Sequence, residues 1–261
     1  MRTLGIVSVP LVCVLGLAAA LPTPAQQQQK PGKLTLIQED TVKAGAREQY
    51  EAGRKELAAW HASIKDPNEL AVFETRTGEN AKTYLVARRG LNWADLDKDL
   101  VPKEQRMAEL KKAIGDSQAK SVTRMYEEVP ELGHDLAAKT DRPEKFYEIN
   151  TFHVPLNKTS AFIAGLTRYR EAVEKTKTPV DFSVFELAQG GEFGTWIVVT
   201  AHDTWASFDD AVVKSPPDIL LNAFGPNEGR SVLAEIENAM GGFFTSEVVE
   251  FRPDLSYFPA K

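Results

Sequence analysis

The sequence predicts an α+β fold in which one β-α-β-β-α-β unit occurs twice in tandem and the two copies pair into a single α/β barrel. Three observations carry that expectation. Shifted by 112 positions, the stretch 35–98 lies on 147–210 without a gap, and 15 of the 64 positions are identical. The identities fall where a fold needs them: Pro67 on Pro179, Val72-Phe73-Glu74 on Val184-Phe185-Glu186, Gly78 on Gly190, Trp93-Ala94 on Trp205-Ala206. Finally, strand-like and helix-like periodicities follow one another in the same order in both copies.

Each element can therefore be read twice. The opening strand is expected at 33–41 and at 145–154, the second dense in Tyr, Phe, Ile and Thr. Helical spacing follows over 44–63 and 158–175, through Tyr50, Leu57 and Ile64 or Phe162, Leu166 and Tyr169. Pro67 and Pro179 block its continuation. Two hairpins come next: 70–76 into 82–88 through Thr77-Gly78-Glu79-Asn80, and 182–188 into 194–201 through Gln189-Gly190-Gly191-Glu192. Asn92-Trp93 and Thr204-Trp205 are read as starts of a second helix, with Asn and Thr as N-caps. A further helix (103–114; 227–240) precedes the last strand (121–128; 245–251). Near the ends Val129-Pro130-Glu131-Leu132 resembles Arg252-Pro253-Asp254-Leu255, so the copies close near Leu132 and Tyr257.

This order defines the ferredoxin-like split βαβ motif. Its helices cover one face of an antiparallel sheet, so the other face needs a partner. Two copies in one chain meet that need by packing their sheets face to face, which is the expected route to the barrel.

Composition narrows the function classes. A formal charge of −6 with dispersed Lys and Arg leaves no basic stripe, so nucleic acid is not an expected partner. Met1-Arg2-Thr3, the uncharged apolar run 4–21 and small residues at Thr23 and Ala25 read as a cleaved signal peptide, with a secreted or periplasmic mature chain and no stable membrane insertion. Retention as an anchor is the other reading of that run. Cys13 is the single cysteine, so the mature part has no disulfide, thiolate nucleophile, Cys-ligated zinc or iron–sulfur cluster. The expected division is signal peptide 1–25, disordered linker 26–32, first unit 33–132, linker 133–144 and second unit 145–257.

At this level of detail the chain resembles the dimeric α/β-barrel superfamily in a tandem, single-chain form. Phe146-Tyr147-Glu148-Ile149-Asn150-Thr151-Phe152-His153-Val154 resembles the opening strand of NIPSNAP-like domains, with Asn150 where those domains usually have Arg. Val42-Lys43-Ala44-Gly45 is similar to their Val-Lys-Pro-Gly turn, and the repeated Trp is similar to that of antibiotic-biosynthesis-monooxygenase-like domains. The resemblance implies the fold and leaves chemistry open, because this superfold hosts unrelated reactions. It also brings haem into view, since the superfamily includes haem-binding members.

Candidate site residues follow from where the copies differ. His153 and His202 stand where the first copy has Thr41 and Gly90; with Asp203 they form the candidate catalytic set for proton transfer or a weak metal site. Trp93 and Trp205 either pack helix on sheet or form a stacking wall for a flat ligand. Glu74 and Glu186 are expected to face the barrel interior or solvent, with Phe73 and Phe185 facing the helices. Arg88, followed by Arg89, is a candidate clamp for an acidic ligand at the barrel mouth, and Tyr147 is a candidate ligand contact. No metal ligand set and no cofactor are assigned. The leading expectation is an exported barrel protein that binds a small, partly apolar molecule, with an oligomer left open. The alternatives are a cofactor-independent oxygenase-like or isomerase-like enzyme, and a haem-binding protein.

Overall fold

Eight strands close into one barrel because each copy of the repeat makes a four-stranded sheet whose two outer strands need partners. The structure is a computed structural model and describes residues 33–80, 82–134, 143–209, 215–241 and 244–260. The expected signal peptide 1–25, the expected linker 26–32 and most of the expected linker 133–144 lie outside the described residues.

The first copy runs β1 (Leu34–Val42), α1 (Arg47–Ser63), β2 (Ala71–Thr75), β3 (Thr83–Leu91), α2 (Lys103–Ile114) and β4 (Gln118–Glu128). The second runs β5 (Phe146–His153), α3 (Thr159–Thr176), β6 (Phe182–Gln189), β7 (Thr195–His202), α4 (Pro216–Met240) and β8 (Phe244–Phe251). Around the barrel the order is β1-β3-β2-β8-β5-β7-β6-β4, every neighbour pair antiparallel. The α+β class, the repeated unit and the barrel expected from the sequence are all present. The route differs: the sheets join edge to edge, through β2 on β8 and β4 on β6, so every backbone edge is paired.

The tails are exchanged. The 3-10 turn Pro130–Leu132, which closes the first copy, packs on α3 of the second, where Leu132 is buried with Phe162, Phe182 and Trp196. Its counterpart Pro253–Leu255 packs on α1 of the first, where Leu255 and Tyr257 join Tyr50, Leu57 and Tyr84. Burying a Leu or aromatic side chain in this way stabilises the fold by about 1.5–3 kcal/mol each, so each copy depends on the other for its outer core. A third apolar cluster fills the barrel waist.

Backbone geometry repeats with the sequence. Lys65 and Lys177 are both left-handed (φ 52° each), and so are Gly78 (φ 89°) and Gly190 (φ 92°). Two expectations change. Trp93 opens only a 3-10 turn, Trp93–Asp95, and a regular helix begins at Lys103. The last helix of the second copy starts at Pro216, eleven residues before the sequence suggested, with its helical path broken at Gly225 (φ 81°) beside Pro226. Among the described residues no helix is long and apolar enough to cross a membrane.

Candidate functional site

Strand alternation sends every second side chain into the barrel. Ile37, Phe73, Leu85, Tyr126, Ile149, Phe185, Ile197 and Val249 point inward, yet they do not fill the lumen. A cavity of about 470 Å³ remains, open at the end where β1, β2, β5 and β6 begin. A second, of about 570 Å³, opens at the opposite end among Glu39, Arg124, His153, Glu192 and Glu247. Ile37, Leu85, Tyr126, Ile149 and Ile197 line both and form the waist.

The first cavity has apolar walls and a polar mouth, the usual chemistry of a small-molecule site. At the mouth Arg89 Nε lies 2.5 Å from Glu69 Oε1. Ser183 Oγ donates to Glu128 Oε1 at 3.3 Å. Burial pushes the Glu128 carboxyl up, against that hydrogen bond and the Arg89 charge. The Tyr147 hydroxyl accepts from the Glu144 amide at 2.9 Å, and burial raises its phenol. The site thus offers a hydrophobic tube closed by one paired guanidinium, one carboxyl disposed to hold its proton, and one phenol.

Of the residues singled out by sequence, Tyr147 lines this cavity. Arg88 does not: alternation turns it outward, and its neighbour Arg89 takes the place at the mouth. Glu74 is also turned outward, the inverse of the expectation. Phe73 faces the lumen, while the buried Glu74 carboxylate meets Arg47 (2.8 Å), Arg252 (3.0 Å) and Arg76 (3.1 Å). Phe185 likewise faces the lumen, and Glu186 stands exposed on the outer face, level with Glu127 across the ladder. Trp93 and Trp205 are half-exposed and line neither cavity; Trp205 packs on Phe146 at 4.7 Å between ring centroids.

His153 and His202 are not a pair. The β5–β7 register sets His153 opposite Thr195 and His202 opposite Phe146. Seven residues of ladder separate the two levels, roughly 24 Å at ~3.4 Å per residue. They also differ in face. His153 points into the second cavity, 3.7 Å from Glu192. His202 points outward, stacked on Phe208 at 3.9 Å with Nε2 3.8 Å from Glu148. Asp203 is exposed, and its carboxylate helps burial raise Glu144.

Haem finds no axial donor in the first cavity. It needs an axial donor in an apolar pocket, and the apolar cavity offers no His, Met or Cys among the described residues. Its two phenols, Tyr126 and Tyr147, are both pushed up by burial, which disfavours a phenolate ligand. Nor do three or more metal-ligating residues cluster anywhere among the described residues.

The mouth residues Lys33, Glu69, Glu128 and Ser183 escaped sequence reasoning. Each sits at a strand end, and only the barrel closure of β4 on β6 brings Glu128 to Ser183.

No protein-family model and no curated protein matches the chain. Solved structures do. One similar structure is described as a monooxygenase from Lactobacillus acidophilus NCFM, with TM-score 0.56 and 7% identity, covering 88% of this chain and 97% of that one. An anthrone oxidase-like protein gives TM-score 0.51 at 12% identity, covering 85% and 92%. A mutant chlorite dismutase from Candidatus Nitrospira defluvii, in complex with cyanide, gives 0.50 at 6%, covering 87% and 93%. Identities this low speak for fold alone. The chain has the fold of the dimeric α/β-barrel superfamily, built from two tandem ferredoxin-like units in one polypeptide.

Proposed function

We propose that the protein binds a small, mostly apolar molecule in the barrel lumen, entering at the Arg89–Glu69 end. One observation carries the reading: a barrel of eight strands can pack solid with side chains, whereas this one keeps about 470 Å³ of apolar-walled space behind a polar mouth. The ligand's polar end would meet Arg89, Glu128 and Tyr147, and its apolar body would lie against Phe73, Phe185 and Val249. The uncharged run 4–21 supports an exported setting, secreted or periplasmic. Native mass spectrometry of protein purified from its own cells tests the binding reading. A bound species that survives gentle ionisation and is lost on denaturation is expected; bare protein, with no uptake from a panel of apolar acids and alcohols, would sink it.

A second reading is a cofactor-independent oxygenase-like or isomerase-like reaction in the same space. Glu128 favours it, because a partly buried carboxyl with a raised proton affinity at the cavity mouth can take and return a proton at a bound molecule. The similarity to structures described as a monooxygenase and as anthrone oxidase-like is compatible with it and identifies no substrate. If the reading holds, Glu128→Gln keeps ligand binding and loses turnover.

A further inference from the structure

The second cavity, of about 570 Å³, lies at the end of the barrel opposite the Arg89–Glu69 mouth, and the two copies build it unequally. In the first copy Ile37 of β1 faces Arg124 of β4 across the ladder; in the second Ile149 of β5 faces Glu247 of β8. Arg124 and Glu247 therefore hold equivalent seats. Two residues further along each opening strand, Glu39 of the first copy is matched by Thr151 of the second. All four line the cavity.

The first copy satisfies its own charges, because Arg124 Nη1 donates to Glu39 Oε2 at 2.8 Å. The second copy cannot, having a hydroxyl and a carboxylate where the first has a carboxylate and a guanidinium. Glu247 is half-buried and has no ion pair among the described residues. It accepts from the Asn80 amide at 3.5 Å, a long hydrogen bond, and the Arg124 charge acts on it from beyond ion-pair distance. Burial and the Glu39 charge push its carboxyl up, a shift that a bound cation would reverse. Around the cavity stand Glu39, Glu79, Glu192 and Glu247, with Arg124 the only Lys or Arg and His153 at the rim, 3.7 Å from Glu192.

Acidic walls by themselves describe a solvated rim. A second observation lies deeper. Tyr126, at the waist, is only 7% exposed and lines the cavity, yet its hydroxyl makes no hydrogen bond among the described residues. A buried hydroxyl without a partner is destabilising, and one that faces a cavity is satisfied by what enters it.

We propose that this cavity binds an organic cation, a primary ammonium on a short apolar body, whose charge takes beside Glu247 the place that Arg124 takes beside Glu39. An ammonium carries three donors, and the Glu247 carboxylate, the Thr151 hydroxyl and the Tyr126 oxygen can each accept one. Ile149, Leu187 and Ile197 offer the apolar wall for its body. The site does not depend on what fills the apolar cavity beyond the waist.

Isothermal titration calorimetry of the full chain near neutral pH tests it, with hexylammonium, hexanol, hexanoate and calcium chloride titrated at matched ionic strength. Hexylammonium is expected to saturate one site and to bind at least tenfold more tightly than hexanol or hexanoate. Glu247→Arg, which places the first copy's cation in the seat, should abolish that binding while leaving the circular dichroism unchanged. Glu247→Gln should weaken it at least tenfold, and it serves if the Arg variant fails to fold. Tyr126→Phe, which removes only the hydroxyl, should weaken it severalfold. Hexanol binding as tightly as hexylammonium, or undiminished binding in the Glu247 variants, overturns the proposal. So does calcium displacing hexylammonium at equal concentration, which would make this end a site for inorganic cations.

Discussion

Arg252, in the last turn of the second copy, places Nη1 3.0 Å from Glu74 Oε2 in the second strand of the first. The same guanidinium reaches both Glu51 oxygens, at 2.9 and 3.1 Å, and Asp254 at 3.0 Å. Removing one partner of a buried ionic group leaves the others uncompensated, at a cost of about 3 kcal/mol. Glu74→Ala should therefore lower the unfolding free energy by about 3 kcal/mol in urea titrations. Glu186→Ala, its exposed equivalent beside Glu127, should change stability by less than ~0.5 kcal/mol. Equal effects at the two positions would show that the exchanged tail contributes nothing through its charges.

The same network sets an acid limit. Hydrogen bonds from Arg252 draw the Glu51 carboxyl down from an ordinary 4.5 to about 2, against burial, and Tyr84 adds a further hydrogen bond at 2.5 Å. A depressed carboxylate contributes stability that is present above its unfolded value and lost as pH falls through its folded one. The urea midpoint should thus decline between roughly pH 4.5 and 2, and Glu51→Gln should flatten that limb. Glu128 has the opposite sign, because burial raises it: its ionisation opposes folding as pH rises past the ordinary carboxylate range. Glu128→Gln should make the protein more stable near neutrality than the parent, while leaving the acid limb in place.

Gly53 and Gly165 occupy equivalent seats where each copy's helices cross, and they should not be equally sensitive. A Cβ at Gly53 would lie 2.0 Å from the Ala113 carbonyl oxygen, which is backbone and cannot yield without moving α2. At Gly165 the obstacle is Ile236 Cγ1 at 2.3 Å, a side chain that can change rotamer. Overpacking costs typically about 1–3 kcal/mol. Gly53→Ala should fall at or above the top of that range and Gly165→Ala near the bottom, read as Tm shifts in parallel melts.

Why the fold was legible and the site was not has a physical answer in particular residues. Local signals write the elements: Pro67 and Pro179 end helices, and Gly78 and Gly190 supply the left-handed turn residue that both hairpins need. The repeat then doubles every signal. Lumen and mouth instead depend on contacts between copies. Alternation separates Phe73 from Glu74 but does not say which faces inward, and the deciding partner, Arg252, lies 178 residues away. Glu128 and Ser183 meet only through the closure of β4 on β6. The separation of the histidines, by contrast, is written in the strand order: His153 and His202 end two strands of one antiparallel ladder, and such ends lie at opposite sides of a sheet.

Ala87 offers the most direct probe of the lumen. It faces inward from β3, lines the 470 Å³ cavity and lies level with Ile37 across the ladder. Ala87→Phe would project a ring into empty space, so the overpacking that penalises core enlargement elsewhere should be small here. Its Tm should stay within a few degrees of the parent, while a co-purified apolar ligand disappears from the native mass spectrum. Phe193→Ala is the control, because Phe193 is 85% exposed and lines neither cavity; it should retain the ligand in full. The discriminating result is the pair of outcomes. If Ala87→Phe unfolds by more than about 3 kcal/mol, the lumen is tighter than its geometry indicates and the site lies elsewhere. If it folds and still carries the ligand, the molecule binds outside the barrel, and the mouth formed by Arg89, Glu128 and Tyr147 does not hold it.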